Sequence, residues 1–111
     1  MVSVTRETLG EMIRAIVEAV QPERIILFGS RARGEARPDS DVDLLVVESE
    51  PFSVSRSRRK EMAKVCRALA RYTFPIDILL YGRDELTRWE RSANHIIGRA
   101  LRDGEVLYDR P

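Results

Sequence analysis

Two aspartates, Asp41 and Asp43, stand at the head of an apolar run, Leu44 to Val47. Side chains of a strand alternate between its faces with a period of two. Asp41 and Asp43 therefore point the same way, and Val42 points the other. Two parallel carboxylates a few ångströms apart repel each other unless a cation lies between them. Hard oxygen ligands of this kind suit Mg2+, which takes one or two protein carboxylates together with substrate phosphates. Taken alone, the pair is better read as the polar start of a strand with solvated aspartates. A third acid changes the balance. Asp77 interrupts the otherwise apolar PIDILLY, where a carboxylate without a partner is costly. If that strand lies beside the one carrying Asp43, three carboxylates converge on one face of a sheet.

Upstream, Gly29-Ser30 closes a short apolar segment, RIILF, and opens a polar one. Glycine lets a ligand approach the backbone closely, and amides at the start of a helix attract phosphate. Gly-Ser by itself is weak evidence, since many strand-to-helix turns contain it. No Gly-Lys-Ser/Thr follows, so this is not a P-loop, and no Gly-x-Gly-x-x-Gly is present. Arg31 and Arg33 lie within reach of a phosphate at this loop, although arginines on such a segment are commonly solvated.

The elements that position these residues follow from periodicity. Leu9, Met12, Ile13, Ile16, Val17 and Val20 share one face of a helix over 5–20, with Thr5 as its N-cap and Pro22 beyond its end. Residues 24–28, 41–47 and 75–81 read as buried strands. A turn or two of helix is expected after Gly29, broken near Gly34, and residues 37–40 form a loop. A charged helix over 54–72 turns Met62, Val65, Leu69 and Tyr72 inward. Asp84 caps a further helix bearing Leu86, Trp89, Ile96, Ile97, Ala100 and Leu101, broken near Ser92. Asp103-Gly104 turns the chain into a last strand, EVLY. Trp89 is expected in the core, and His95, the one histidine, is expected to pack rather than catalyse.

The 111 residues suit one domain, spanning 1–111. Hydrophobic residues make up 43% and charged residues 33%, which excludes a disordered chain. A net charge of +1 argues for no particular partner. Local clusters must carry any such case, and the basic stretch SRSRRK is usually just a solvated helix face. One cysteine, Cys66, excludes an internal disulfide and a cysteine zinc site, as a reducing cytoplasm would favour. Neither a signal peptide nor a membrane helix is expected.

Taken together, FGSRARGEARPDSDVDLLVV, PIDILLY and the DGEVLY ending resemble the minimal nucleotidyltransferases of the DNA polymerase beta superfamily. The resemblance covers essentially the whole chain. It implies an α/β fold, with a short mixed sheet and helices packed against it. It implies that Gly29 and Ser30, with Arg31 and Arg33, hold a nucleoside triphosphate. It further implies that Asp41, Asp43 and Asp77 are the catalytic acids and bind Mg2+, in two ions. A nucleoside monophosphate, with ATP as the expected donor, would pass to a hydroxyl and release pyrophosphate. Relatives of this size often pair, as antitoxins, with a small helical toxin of the HEPN type, and some adenylylate a tyrosine of it. That implies a cytoplasmic protein with a protein acceptor, no membrane and no nucleic-acid substrate, and it leaves homo-oligomerisation open. The rival reading is a nucleotide-binding antitoxin or interaction subunit that acts by contact alone. Transfer to a small molecule is a third, weakened by the lack of room for extra substrate-binding helices.

Overall fold

The structure, a computed structural model, describes residues 4–37, 40–92 and 94–111. Helix α1 spans Arg6–Val20, followed by strands β1 (Arg24–Phe28) and β2 (Val42–Glu48). Helix α2 (Arg58–Ala68), strand β3 (Ile76–Gly82), helices α3 (Arg83–Trp89) and α4 (Ile96–Asp103) and strand β4 (Glu105–Asp109) complete the order. The four strands form one mixed sheet in the order β3-β2-β1-β4. β1 runs antiparallel to both its neighbours, and β2 and β3 run parallel.

Strand alternation sorts the core into two layers. Ile25, Leu27, Val42, Leu44 and Val46 face α1 and α2, where they meet Met12, Ile16 and Val65. Ile26, Leu45 and Val47 face the other way, against Leu86 of α3 and Ile97 and Ala100 of α4. Of the residues expected on the inner side of the 54–72 helix, Met62 and Val65 lie in α2, and Leu69 and Tyr72 follow its end. Val65 and Leu69 are buried, and Met62 and Tyr72 pack partly against the same core. Both of the first two helices are capped as serine and threonine cap helices. The Thr5 hydroxyl accepts from the Thr8 amide at 3.1 Å, and the Ser57 hydroxyl from the Lys60 amide at 3.3 Å.

Several expectations are corrected. The helix expected over 54–72 is shorter at both ends: Ser57 caps its start, with Val54 fully in solvent, and it ends at Ala68, after which the chain turns, with the Tyr72 amide donating to the Leu69 carbonyl at 3.1 Å. The segment after Gly29 forms a hydrogen-bonded turn rather than a helix. The Arg33 amide donates to the Gly29 carbonyl at 3.2 Å, and Gly34, with φ of 73°, reverses the chain. The loop expected over 37–40 falls partly on residues 38 and 39, outside the described residues. Asp84 lies inside α3 rather than capping it. Glu85 fills that role by accepting from the Gly82 amide at 3.0 Å. Trp89 is 37% exposed, so it is not a core residue. It stacks on His95, ring centroids 4.3 Å apart, and His95 Nδ1 accepts from the Ile97 amide at 3.2 Å to cap α4. Among the described residues, no helix is long and apolar enough to cross a membrane.

The basic stretch is largely consumed by the fold. Arg56 is ion-paired with buried Glu48, donates to the Glu50 carbonyl at 2.9 Å and lies over Phe52. Arg58 donates to the Leu80 carbonyl at 2.7 Å and to Glu85 at 2.6 Å. Arg59 and Lys60 are exposed. Burial, above all, pushes the Glu48 carboxyl up to about 6, and the nearby charge of Glu61 adds to the rise.

Candidate active site

The three aspartates meet where β2 and β3 begin. Parallel pairing sets Asp43 directly opposite Asp77, and Asp41 precedes Val42 at the start of β2. Leu45 and Val47 share a face with Asp43, and Leu79 and Tyr81 share it with Asp77, so the acids stand on the α3–α4 side of the sheet. Each offers a carboxylate oxygen within 4.8 Å of the others. Asp41 and Asp77 are exposed, and Asp43 is half-buried. Burial first, then the charges of Asp77 and Asp41, hold the Asp43 carboxyl above the usual carboxylate range. Arg33 pulls the other way, and a hydrogen bond with Asp77 adds to the rise.

Three acids this close repel, and one holds its proton more tightly in compensation. The donor set fits a hard cation. Mg2+ binds oxygens at about 2.0–2.1 Å, so two oxygens on one ion lie about 3–4 Å apart, and the acids here offer oxygens within 4.8 Å of one another.

Gly29 ends β1 next to this cluster, because Phe28 pairs with Asp43 across the sheet. Its φ is 75°, and a Cβ at this position would lie 2.2 Å from Asp43 Oδ2. Only glycine permits both the left-handed turn and the close approach of backbone to carboxylate. Ser30 follows, and its carbonyl accepts from the Glu35 amide at 2.9 Å, which closes the turn. Arg33 lies on the triad side, bonded to Glu35 at 3.1 Å and close enough to act on Asp43. Arg31 does not join it. Its guanidinium donates to the Ser40 carbonyl at 2.6 Å, and it borders a hollow with Thr5, Leu9 and Leu27 on the α1 side. The fold thus brings the three acids together beside Gly29-Ser30 but turns one of the two expected arginines toward the other layer.

On the triad side, a cleft of about 240 Å3 runs from Phe28, Gly29 and Arg33 to α4. Sequence reasoning missed its α4 wall. The available signal was Gly98 and Gly104, small residues bracketing a short apolar helix.

The family model described as a nucleotidyltransferase domain matches residues 9–97, most of the chain. The chain belongs to this nucleotidyltransferase domain family. Within it, the chain is 40% identical over 58 residues to a protein of Methanocaldococcus jannaschii named "putative protein adenylyltransferase MJ0141". That match takes in 52% of this chain and 54% of the relative, so it spans about half of the relative's length. Among solved structures, this nucleotidyltransferase domain resembles a "putative nucleotidyltransferase" of Sulfolobus solfataricus, with a TM-score of 0.54 and 23% identity. The likeness covers 96% of this chain and 91% of that one. A toxin–antitoxin crystal structure with AMP-PNP gives a TM-score of 0.54 at 22% identity, over 91% of this chain and 73% of its own. At these identities the likeness concerns the fold, and it agrees with the α/β architecture expected from sequence.

Proposed function

We propose that the protein is an Mg2+-dependent nucleotidyltransferase over its whole length, 1–111, that moves AMP from ATP to a hydroxyl of a protein partner. The observation that carries this reading is the convergence of Asp41, Asp43 and Asp77 within 4.8 Å beside the positive-φ turn at Gly29. A carboxylate cluster invites cations, and a backbone turn without a Cβ invites phosphate. Mg2+, when bound, would neutralise phosphate charge and make the α-phosphorus a better electrophile.

The roles of the chain's own residues follow. Asp41, Asp43 and Asp77 hold the cations. The turn at Gly29-Ser30 seats the triphosphate tail, and Arg33 adds positive charge on the same side. The acceptor oxygen forms a bond to the α-phosphorus as the bond to the pyrophosphate oxygen breaks. The hydroxyl proton passes to Asp77, which is exposed and can release it to solvent. The partner is a small helical protein of the HEPN toxin type, its acceptor a tyrosine, and the setting is cytoplasmic. Support comes from the family membership and from the fold shared with chains of toxin–antitoxin structures. Arg31 supports the phosphate turn from behind, through its bond to Ser40, rather than by touching phosphate.

The test uses ATP labelled at the α-phosphate, incubated with the protein, Mg2+ and the product of the neighbouring gene. Label appearing on the partner, and lost with Asp41→Asn or Asp43→Asn, is the expected result. A tight complex without label transfer, with neutralisation unchanged by either substitution, would make the protein a partner-binding subunit that acts by contact.

A further inference from the structure

β3 is an edge strand, paired with β2 alone, and it carries the outermost acid, Asp77. The backbone groups of a strand turn alternately to its two sides. The Val42 amide donates to the Pro75 carbonyl at 3.0 Å, so Pro75 and, in alternation, Asp77 and Leu79 turn their backbone toward β2. Ile76, Ile78 and Leu80 turn theirs outward. The Leu80 carbonyl is taken there by Arg58, at 2.7 Å, and the Gly82 amide by Glu85, at 3.0 Å. That half of the edge is therefore closed. In the other half, the amides and carbonyls of Ile76 and Ile78 face outward beside the acids, with no partner among the described residues.

The opposite edge of the sheet is built differently. β4 has an acid at each end, Glu105 paired with Arg6 and Asp109 with Arg24, and its register against β1 shifts between Ile25 and Ile26. Charges and bulges are how folds discourage the addition of a further strand. The first half of β3 has no such protection except Asp77, which already belongs to the triad.

A strand added at this edge would lie about 4.8 Å from β3, and residues opposite one another would share a face. A residue opposite Asp77 would therefore stand on the α3–α4 side, next to the outermost acid. Gly29 flanks the triad from β1, so acceptor and triphosphate would enter from opposite flanks, as an in-line displacement requires. A serine or threonine hydroxyl stays close to its own strand. Aromatic side chains reach diagonal neighbours across a sheet, so a tyrosine there can lean over the acids.

We propose that the acceptor is presented as an extended segment that adds to the sheet along Ile76–Ile78, with a tyrosine opposite Asp77. Backbone bonds to Ile76 and Ile78 hold the segment whatever its sequence, and the reach from the edge selects the phenol. In a helical partner such a segment is a loop or a terminus. The inference rests on the nucleotidyltransferase reading above and adds how the acceptor is held.

The probe is a short acetylated peptide of alternating threonine and valine around a central tyrosine, given with Mg2+ and ATP labelled at the α-phosphate. N-acetyltyrosine amide carries the same phenol without the strand, and its KM should be at least about tenfold higher. Ile76→Pro removes one outward amide at the first residue of a strand, where proline is tolerated, and Ile76→Val keeps it. Ile76→Pro should raise the KM for the peptide about fivefold and leave kcat within about twofold, while Ile76→Val changes neither. In wild type, amide hydrogen exchange at Ile76 and Ile78 should be fast and should slow with the peptide, whereas Asp77 and Leu79 exchange slowly throughout. Equal KM values for the peptide and the amide would overturn the proposal, as would edge amides that stay fast with saturating peptide. Edge amides protected without peptide, in proportion to protein concentration, would give the edge to a second copy of the chain instead. A wild type whose Tm does not rise with Mg2+ and ATP would refute the nucleotidyltransferase reading itself. A normal rise with no edge protection by the peptide overturns the acceptor proposal alone.

Discussion

Two glycines with nearly the same backbone make a controlled experiment on the turn proposed to seat phosphate. Gly29 and Gly34 have φ of 75° and 73°. An alanine at either position carries a left-handed strain of about 1–2 kcal/mol, partly offset by the smaller entropy of its unfolded chain. The net loss should be about 1 kcal/mol, or roughly 4–8 °C in Tm for a domain of this size. The two sites differ in what a Cβ would meet. Nothing lies within 4 Å at Gly34, whereas Asp43 Oδ2 lies at 2.2 Å from the position at Gly29. Gly29→Ala must therefore drive the Asp43 carboxylate aside by about 1 Å, a misplacement of the size that can cost about a hundredfold in rate. An off-rotamer aspartate adds about 0.5–1.5 kcal/mol, so its Tm should fall further than that of Gly34→Ala. Thermal melts with and without Mg2+ and ATP read both effects. Gly34→Ala should be destabilised yet keep the full ligand-induced rise, and Gly29→Ala should lose most of it. Equal ligand-induced rises in the two variants would refute the claim that Gly29 is reserved for the approach of Asp43.

Two further predictions test the charges. Asp43→Asn removes a carboxylate that its neighbours oppose, so the variant should melt no lower than wild type without metal. It should nonetheless lose the rise of about 10 °C that a ligand at a hundred times its Kd gives a domain of this size, as differential scanning fluorimetry would record. Glu48 rests at about 6 against an ordinary 4.5, so the folded state binds more protons than the unfolded state between these values. Its contribution is fully present below about 4.5 and is lost as pH rises through about 6. Glu61 opposes it: burial pushes that carboxyl up, yet its bonds to Lys64 and Glu48 leave it below the usual range. Denaturant unfolding from pH 5 to 7 should therefore show wild type losing on the order of 1 kcal/mol relative to Glu48→Gln, and parallel curves would count against the assignment.

The parts of this fold that were legible in the sequence are those set by local periodicity. Residues 5–20 carry a helical stripe and a threonine cap, and α1 occupies Arg6–Val20. RIILF, bounded by Pro22 and Gly29, is β1 without change. The period of two is enough by itself to put Asp41 and Asp43 on one face. What stayed hidden depended on contacts between distant segments. No local pattern places β1 in the middle of the sheet, flanked by β2 and by β4 from the C-terminus. Arg56 and Arg58 have the look of a solvated or docking face, because their carboxylate partners, Glu48 and Glu85, lie on other elements. Trp89 is core by type, whereas its ring is spent on His95 at the break between two short helices.

The site also explains why its loop must carry a glycine that the fold alone would not require. Antiparallel pairing of β1 with β2 sets Phe28 opposite Asp43, so the residue after Phe28 must cross directly above that carboxylate. Any side chain there would press on the acid. Parallel pairing of β2 with β3 brings Asp77 against the same carboxylate from the other side. Asp43 is thus confined between a backbone turn and a like charge, and its raised affinity for a proton records that confinement. Two orders of pairing, one antiparallel and one parallel, meet at this single side chain. A cation would relieve the repulsion, and a phosphate approaching over Gly29 would meet backbone rather than side chain. If the proposed ligands bind there, their binding would offset the cost of holding Asp43 beside Asp77 and Asp41, and the domain should gain stability once loaded.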